Sequence, residues 1–260
     1  MRALNSIGLK IRNNDKKRVT LLRKGRIAEF LQTYTKNYDI ENLNTGKYWD
    51  NIFSESENLS HQSPMTKDKI RLIANAIPSR NLSILDLGIG DGFVEELLED
   101  RSVNYKLFGL DISYVSIEKM QKKYRGRFVL GNVLEAKRIF KNQNFDIILA
   151  IELLEHISVS KLFFLYGQIY SLLKNDGKFI FSIPINENLH LMDKNPSAHV
   201  RDYTYEIINA ELIQNGFEIK KSYSLYAFRK MYKLKKLLTY FFRRRWKPNS
   251  LIIVAKKVVK

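Results

Sequence analysis

Residues 84–94 of this chain read ILDLGIGDGFV, and they decide its fold. Ile84, Leu85 and Leu87 predict a buried strand, and three glycines at alternate positions follow it. Glycine lets the backbone turn sharply and leaves no Cβ between the chain and a ligand. The stretch therefore predicts a strand, a ligand-binding turn and then a helix, which Asp91 is placed to cap.

The glycine spacing distinguishes this turn from a dinucleotide-binding turn. After Gly88 and Gly90, the dinucleotide fingerprint G-x-G-x-x-G needs its third glycine where this chain has Phe93, because Gly92 comes one residue early. Asp86 lies just ahead of the glycines. The pattern Asp-x-Gly-x-Gly-x-Gly at the end of a first strand resembles the class I S-adenosylmethionine (SAM)-dependent methyltransferases. On this motif alone, an ordinary β–α turn is the alternative.

Four later apolar segments extend the resemblance, and all four read as strands or as strands with a flanking turn. They are residues 107–113, 127–133, 145–157 and 172–184. The resemblance covers roughly residues 65–226 and a last strand near 250–258. An acid at the end of the second strand can accept hydrogen bonds from ribose hydroxyls. The third strand ends in asparagine where the family usually has an aspartate that contacts adenine, and an amide oxygen can still accept there. The implied cofactor contacts are Asp86, Gly88, Gly90, Gly92, Asp111, Ile112, Asn132, Val133 and Ile151.

Predicted strands and helices alternate, which indicates βαβ crossovers and a mostly parallel sheet. The predicted class is α/β, with a Rossmann-like doubly wound fold. The resemblance implies a seven-stranded sheet whose last two strands form a reversed hairpin at one edge. Residues 1–64 are expected to form a basic arm over 1–17 and N-terminal cap helices, and residues 65–260 the methyltransferase domain. One helix is predicted over 18–35, another around Trp49, and a third that Ser63-Pro64 opens.

Composition and charge narrow the function classes. The chain has 260 residues and no cysteine, which excludes disulfides, thiolate metal sites and a cysteine nucleophile. We find no secretory segment and no apolar run long enough to span a bilayer, so a cytoplasmic location is expected. The net charge of +17 is concentrated in two segments. Residues 1–27 hold nine Lys/Arg against one acid, and residues 228–247 hold nine against none. This distribution indicates docking rather than a general effect on solubility.

Residues 228–247 predict a basic amphipathic helical insertion before the last strand. Its apolar residues at helical spacing are Met231, Leu234, Leu238 and Phe241, with Leu237 beside them. Its basic residues mostly on the other side are Arg229, Lys233, Lys236 and Arg243. Three interpretations stay open: peripheral binding to an anionic membrane surface, contact with nucleic-acid phosphates, or packing on the protein's own core with a solvated basic face.

Glu152, Glu155 and His156 follow the fourth strand, at the sheet edge where open α/β folds bind ligands. His156 is the first candidate for a general base, because the ordinary pKa of histidine suits proton transfer. Alternatively, His156 caps or packs the helix that starts there. In the next loop, His199 and Arg201 are the candidates for the substrate pocket.

The cluster Glu152-x-x-Glu155-His156 has a second interpretation, because two carboxylates and an imidazole can share a divalent cation. It resembles the E-x-x-E-H cluster of ubiquinone-pathway O-methyltransferases and small-RNA 2′-O-methyltransferases, in which the cluster is associated with a metal. The RNA enzymes add a distal histidine, and His199 is the matching candidate here. The same cluster also occurs in related enzymes without a metal.

The predicted function is SAM-dependent methyl transfer, to the oxygen of a small molecule, a lipid or a lipid-linked glycan near the inner membrane face. SAM is the expected cofactor, with a divalent metal as a further candidate. One alternative is an RNA 2′-O-methyltransferase that holds phosphates with its basic segments, and another is a SAM-binding scaffold without catalysis. Nucleic acid ranks below a membrane or small-molecule partner, because no nucleic-acid-binding module is visible.

Overall fold

A computed structural model of the protein describes residues 2–34, 44–56, 58–187, 189, 198–228, 230–241 and 246–258, with side chains from residue 13 onward. Within those residues, the centre of the fold is a seven-stranded sheet. Its strands are β1 (Ser83–Leu87), β2 (Lys106–Asp111), β3 (Gly126–Leu130), β4 (Phe145–Ile151), β5 (Leu173–Pro184), β6 (Phe217–Leu225) and β7 (Ser250–Lys257).

The strands lie in the spatial order β3-β2-β1-β4-β5-β7-β6. Strands β1 to β5 pair in parallel, while β7 is antiparallel to both β5 and β6. The predicted Rossmann-like, mostly parallel sheet is therefore confirmed, together with the reversed hairpin at its edge. The strand order reverses between β1 and β4, and open α/β sheets bind their ligands at such a switch point.

Helices lie between the strands and cover the sheet. They are α1 (Arg2–Arg23), α2 (Ile27–Gln32), α3 (Gly46–Ser54), α4 (Pro64–Ala76), α5 (Phe93–Glu99), α6 (Tyr114–Lys123), α7 (Ala136–Ile139), α8 (Val159–Leu172), α9 (Tyr205–Gln214) and α10 (Tyr232–Phe241). Short 3₁₀ turns span Leu59–His61, Val133–Glu135 and Leu154–His156. Helix α10 occupies the predicted insertion, of which Arg229 and residues 242–245 lie outside the described residues.

Strand β4 shows why both faces of the sheet are covered. Ile148 and Ala150 are buried in the core of one face, and Ile147 and Leu149 in that of the other. Neighbouring residues of a strand point to opposite faces, so a strand that is apolar throughout needs helices on both sides. Helices α8 and α9 cover the first face, and α4, α5 and α6 cover the second. Each leucine or isoleucine that is fully buried in this way contributes about 1.5–3 kcal/mol to the free energy of unfolding.

The N-terminal region differs from its prediction in two respects. The expected arm over residues 1–17 is helical from Arg2 onward, as part of α1. The single helix expected over 18–35 is divided at Gly25, whose φ of +68° places it in the left-handed region that ends a helix. The break lets α2 fold back, so that Phe30 of α2 packs with Leu22 of α1. The predicted arm and the start of the predicted helix are thus one element.

The predicted helix at Ser63-Pro64 is α4. The Ser63 hydroxyl accepts the Thr66 backbone N–H at 3.1 Å, and Pro64 occupies the first helical position. Proline is tolerated there because that N–H has no partner within the helix. The predicted helix around Trp49 is α3. No helix in the part of the chain that the structure describes is long and apolar enough to cross a membrane.

Candidate active site

A cavity of about 360 Å³ lies at the carboxyl ends of β1, β2 and β4. All nine predicted cofactor residues line it: Asp86, Gly88, Gly90, Gly92, Asp111, Ile112, Asn132, Val133 and Ile151. Trp49 and Phe53 of α3 and Lys69 of α4 line it as well. Helices that precede the first strand therefore form part of its wall, as expected for a cap over the cofactor cleft.

The glycine turn needs glycine for two separate reasons. Gly90 and Gly92 have φ values of +54° and +65°, in the left-handed region that strains residues with a Cβ. A Cβ on Gly90 would also lie 3.1 Å from the Phe53 ring, and one on Gly92 would lie 2.5 Å from Met120 Sδ. The turn is thus closely packed between the cap helix α3 and helix α6.

The prediction that Asp91 caps α5 is wrong. Gly92 occupies the N-cap position, and no side chain caps the helix there. The Asp91 carboxylate instead accepts the Ser56 hydroxyl, and the Lys119 ammonium lies 3.5 Å away. Because Gly92 is left-handed, the residue before it faces the end of α3 rather than the first N–H groups of α5. Asp91 therefore fastens the cap region to the turn.

Asp111, at the end of β2, holds the glycine turn in place. Its Oδ2 accepts the Gly90 N–H at 2.9 Å, and its Oδ1 accepts the Ser113 N–H at 2.8 Å. Burial raises the pKa of the Asp111 carboxyl, and these backbone N–H groups partly oppose that rise. Each carboxylate oxygen has a second lone pair, so Asp111 can also accept from a ribose hydroxyl.

Asn132 lines the cavity but already uses its amide oxygen. Oδ1 accepts the Leu134 N–H at 2.9 Å and so caps the 3₁₀ turn Val133–Glu135. Only a second lone pair of this oxygen is available for the predicted contact with an adenine amino group.

Asp86 and Glu95 form a buried carboxyl pair that the sequence interpretation missed in part. Glu95 lies in the first turn of α5, hydrogen-bonded to Asp86, and both line the cavity. Burial and the neighbouring Glu95 raise the pKa of Asp86 well above its ordinary value, and burial raises the pKa of Glu95 to about 7. Within the described residues, no other residue donates to Asp86 Oδ1 or Glu95 Oε2. The pair of carboxyl groups fits a ligand that brings positive charge or N–H donors into the cavity.

Glu155, His156 and His199 come together beside this cavity. One ligand atom from each lies within 4.8 Å of the others. The two imidazole rings are 4.9 Å apart between centroids, and the Trp49 ring lies 4.8 Å from the His156 ring at nearly a right angle. The turn Leu154–His156 brings in the first two residues, and the loop before α9 brings in His199.

The hydrogen bonds of the two histidines set their tautomers. His156 Nδ1 donates to the Ala198 carbonyl at 3.3 Å, which leaves the lone pair on Nε2. Burial, and next to it His199, lower the pKa of His156 to about 4, so this ring is neutral at physiological pH. The Glu187 carboxylate lies 2.9 Å from His199 Nδ1 and orients that ring.

Glu155 is fully buried, and neither carboxylate oxygen has a hydrogen-bond partner among the described residues. Burial, and after it the Glu152 charge, raise the pKa of Glu155 well above its ordinary value. A buried carboxyl group without partners is costly, which favours a ligand or ion at this position.

Comparisons with known proteins agree with this geometry. Residues 84–177 match the family model described as a methyltransferase domain. An uncharacterised protein of Methanocaldococcus jannaschii is 28% identical over 175 residues, which are 65% of this chain and 70% of that protein. The fold is similar to a SAM-dependent methyltransferase from Archaeoglobus fulgidus, with a TM-score of 0.61 at 19% identity over 80% of this chain and 100% of that one. It is also similar to magnesium protoporphyrin IX methyltransferase from Synechocystis PCC 6803 with bound SAM, with a TM-score of 0.54 at 15% identity over 84% of this chain and 94% of that one.

Residues 84–177 therefore carry a methyltransferase domain, on a fold that SAM-dependent methyltransferases share. The cavity beside the glycine turn fits SAM in its charge and in its hydrogen-bond acceptors. SAM carries an ammonium group and a sulfonium, both cationic, and the Asp86–Glu95 pair places two carboxyl groups in the cavity wall. Asp111 offers the acceptors for its ribose.

Two predicted site residues are engaged in other contacts, although Glu152 still lines the cavity. Glu152 pairs with Lys69 Nζ at 2.9 Å and accepts the Ser182 hydroxyl at 2.7 Å, so it is not part of the Glu155–His156–His199 group. Burial alone would raise the pKa of Glu152, but the Lys69 ammonium and the Ser182 hydroxyl lower it below its ordinary value. Of the four metal-ligand candidates, the fold brings three together.

Arg201 does not reach the cavity, contrary to its prediction as a substrate-pocket residue. It is buried and pairs with Glu211 of α9 at 2.6 Å and 3.0 Å. The hydroxyl of Tyr203 donates to the Leu154 carbonyl at 3.1 Å, and Arg201 donates to that same hydroxyl. The Arg201 network therefore fastens the loop that carries His199 to the turn that carries His156.

Proposed function

We propose that this methyltransferase transfers the methyl group of SAM to a hydroxyl oxygen of a small molecule, a lipid or a lipid-linked glycan. The observation that carries the proposal is the Glu155–His156–His199 group beside the cofactor cavity. A hydroxyl is a poor nucleophile, so its methylation needs a proton acceptor or a cation beside the oxygen. This group supplies candidates for both.

At the cofactor end, SAM supplies a methyl group that its sulfonium has already activated. Asp111 binds the ribose hydroxyls and keeps the glycine turn in position through Gly90. Asp86 and Glu95 bind the cationic end. Trp49 and Phe53 line the same cavity and give it apolar walls, which strengthens these contacts. The protein thus contributes mainly orientation.

At the acceptor end, His156 Nε2 accepts a hydrogen bond from the acceptor hydroxyl. The ring is neutral at physiological pH, so its lone pair is available, but a pKa of about 4 makes it a weak base by itself. His199 lies against it, with the Glu187 carboxylate 2.9 Å from its Nδ1. We therefore assign proton removal to the His156–His199 pair rather than to His156 alone.

A divalent cation is the alternative to this base, because a His156 Nε2 that binds a metal cannot also accept the hydroxyl proton. Glu155, His156 and His199 would hold it, since neutral imidazole and carboxylate are the ligand types that such ions prefer. The unpartnered oxygens of Glu155 support this assignment. A cation held there would lower the pKa of a coordinated hydroxyl.

A metal titration tests whether the protein binds such a cation. Manganese or cobalt titrated into the full chain should bind at one site, followed by calorimetry or by the cobalt absorption spectrum. Glu155→Gln should abolish that binding, whereas Glu96→Gln, an exposed carboxylate paired with Lys123, should leave it unchanged. Equal binding by both variants would remove Glu155 from the site.

The reaction is tested by the fate of a labelled methyl group. Purified protein and methyl-labelled SAM are added to a cell lysate, which is then separated into organic extract, RNA and protein. We expect label in the organic extract or in small soluble metabolites. Label that nuclease releases would instead favour the RNA 2′-O-methyltransferase alternative. No transfer by a chain that binds SAM would favour the scaffold.

A further inference from the structure

Helix α10 presents an apolar stripe to solvent. The exposed fractions are 47% for Leu234, 59% for Leu237 and 70% for Phe241. At about 100° per residue, these three side chains and the half-buried Leu238 fall within an arc of about 100°. That width is typical of the face by which an amphipathic helix binds an apolar partner.

The polar side of α10 holds the helix to the protein. The Tyr232 hydroxyl donates to Asp68 of α4 at 2.8 Å, and Lys236 Nζ lies 2.6 Å from the same carboxylate. Thr239, one turn further along, is buried. The arrangement is the reverse of a helix packed on its own core, in which the leucines would face inward. Within the described residues, it contradicts the interpretation of residues 228–247 as a core helix with a solvated basic face.

The charge around this stripe is of one sign. Residues 228–247 hold nine Lys/Arg and no acid, and Lys230, Lys233 and Lys247 are exposed. A second copy of the chain would bring two such segments together, and like charges would repel. The charge is instead complementary to an anionic surface.

We propose that α10 docks the methyltransferase on an anionic lipid membrane, with Leu234, Leu237 and Phe241 in the acyl region and the lysines at the head groups. Leucine side chains gain nothing from phosphates or stacked bases, which favours lipid over nucleic acid. A basic amphipathic helix of this kind lies in the plane of the interface.

Docking by α10 also orients the catalytic cavity. Asp68, which anchors α10, precedes Lys69, and Lys69 lines the cavity and pairs with Glu152. The docked helix therefore holds this wall of the cavity beside the lipid surface. The orientation rests on the proposed function, because it explains how a lipid or lipid-linked acceptor would reach the site.

Vesicle binding tests the proposal without any methyl transfer. The full chain is sedimented with phosphatidylcholine vesicles that contain or lack phosphatidylglycerol. We expect binding only to the anionic vesicles, and weaker binding as salt is added. Leu237→Gln should weaken it about tenfold, and Lys233→Gln about fivefold. The matched control is Ile213→Gln on α9, because Ile213 and Leu237 are both 59% exposed.

Three results would overturn the inference: no binding to anionic vesicles, equal loss in Leu237→Gln and Ile213→Gln, or retention on RNA but not on vesicles. Circular dichroism of each variant shows whether it is folded. Because no methyl group is transferred in this assay, failure here leaves the proposed reaction standing. A chain that binds vesicles but methylates no hydroxyl would contradict only the proposed function.

Discussion

Replacing Glu95 by glutamine tests the buried carboxyl pair in the cofactor cavity. Glu95 and Asp86 are both buried and hydrogen-bonded to each other, and burial raises the pKa of Glu95 to about 7 from its ordinary value of 4.5. Glutamine has nearly the same shape as protonated glutamate but cannot lose a proton. The variant therefore removes the titration and keeps the packing.

The sign of the effect follows from proton binding. Between pH 4.5 and about 7, the folded chain holds a proton on Glu95 that the unfolded chain has lost. The stability that Glu95 contributes is complete below the unfolded pKa and is lost as the pH rises toward the folded pKa. Each pH unit in that interval is worth about 1.4 kcal/mol, so the whole interval amounts to about 3 kcal/mol.

Urea unfolding measures this difference, with the fluorescence of the two tryptophans as the signal. The free energy of unfolding is determined for both chains at several pH values from 4.5 to 8. The wild-type chain should lose about 3 kcal/mol relative to Glu95→Gln over that range. If the free energy of unfolding changed with pH in the same way for both chains, the assigned pKa of Glu95 and its cause would be refuted.

SAM binding provides an independent readout of the same pair. A cationic ligand group beside these carboxyls lowers their pKa, so binding releases protons. We expect the affinity of the wild-type chain for SAM to rise as the pH increases through 7, and that of Glu95→Gln to rise less. Calorimetry in buffers of different ionisation enthalpy counts the protons released. Equal release by both chains would place the cationic group elsewhere.

Three further changes test the rest of the site. Asp111→Asn should weaken SAM binding by about 1.5–3 kcal/mol in calorimetry, since a charged hydrogen-bond acceptor is lost; an unchanged dissociation constant would contradict its role. Arg201→Leu should lower the free energy of unfolding by about 3–5 kcal/mol, because it leaves Glu211 buried and unpaired, and the double change with Glu211→Leu should restore most of this in urea titrations. Gly90→Ala should cost about 1–2 kcal/mol of backbone strain and displace the Phe53 ring, so SAM binding should fall while circular dichroism shows an intact fold.

Local sequence determined the order and type of the elements that build the cofactor cavity. The glycines at 88, 90 and 92, the acid Asp111 and the Ser63-Pro64 helix start are each recognisable from a few neighbouring residues. Turn geometry, helix capping and burial of a strand depend mainly on such short-range patterns. All nine predicted cofactor residues accordingly line the cavity. Glu155 and His156 were recognisable as a cluster for the same reason, because they are neighbours in the chain.

Only the tertiary structure decided which distant groups meet. Lys69 pairs with Glu152, and Arg201 with Glu211 rather than with a substrate. The sequence does not show whether a Lys or Glu side chain faces solvent or a buried partner. That depends on the surroundings of the charge in the fold, which also set its free energy. For α10, periodicity identified the apolar stripe but not its direction. The leucines face outward because Asp68, distant in sequence, binds the opposite side of the helix.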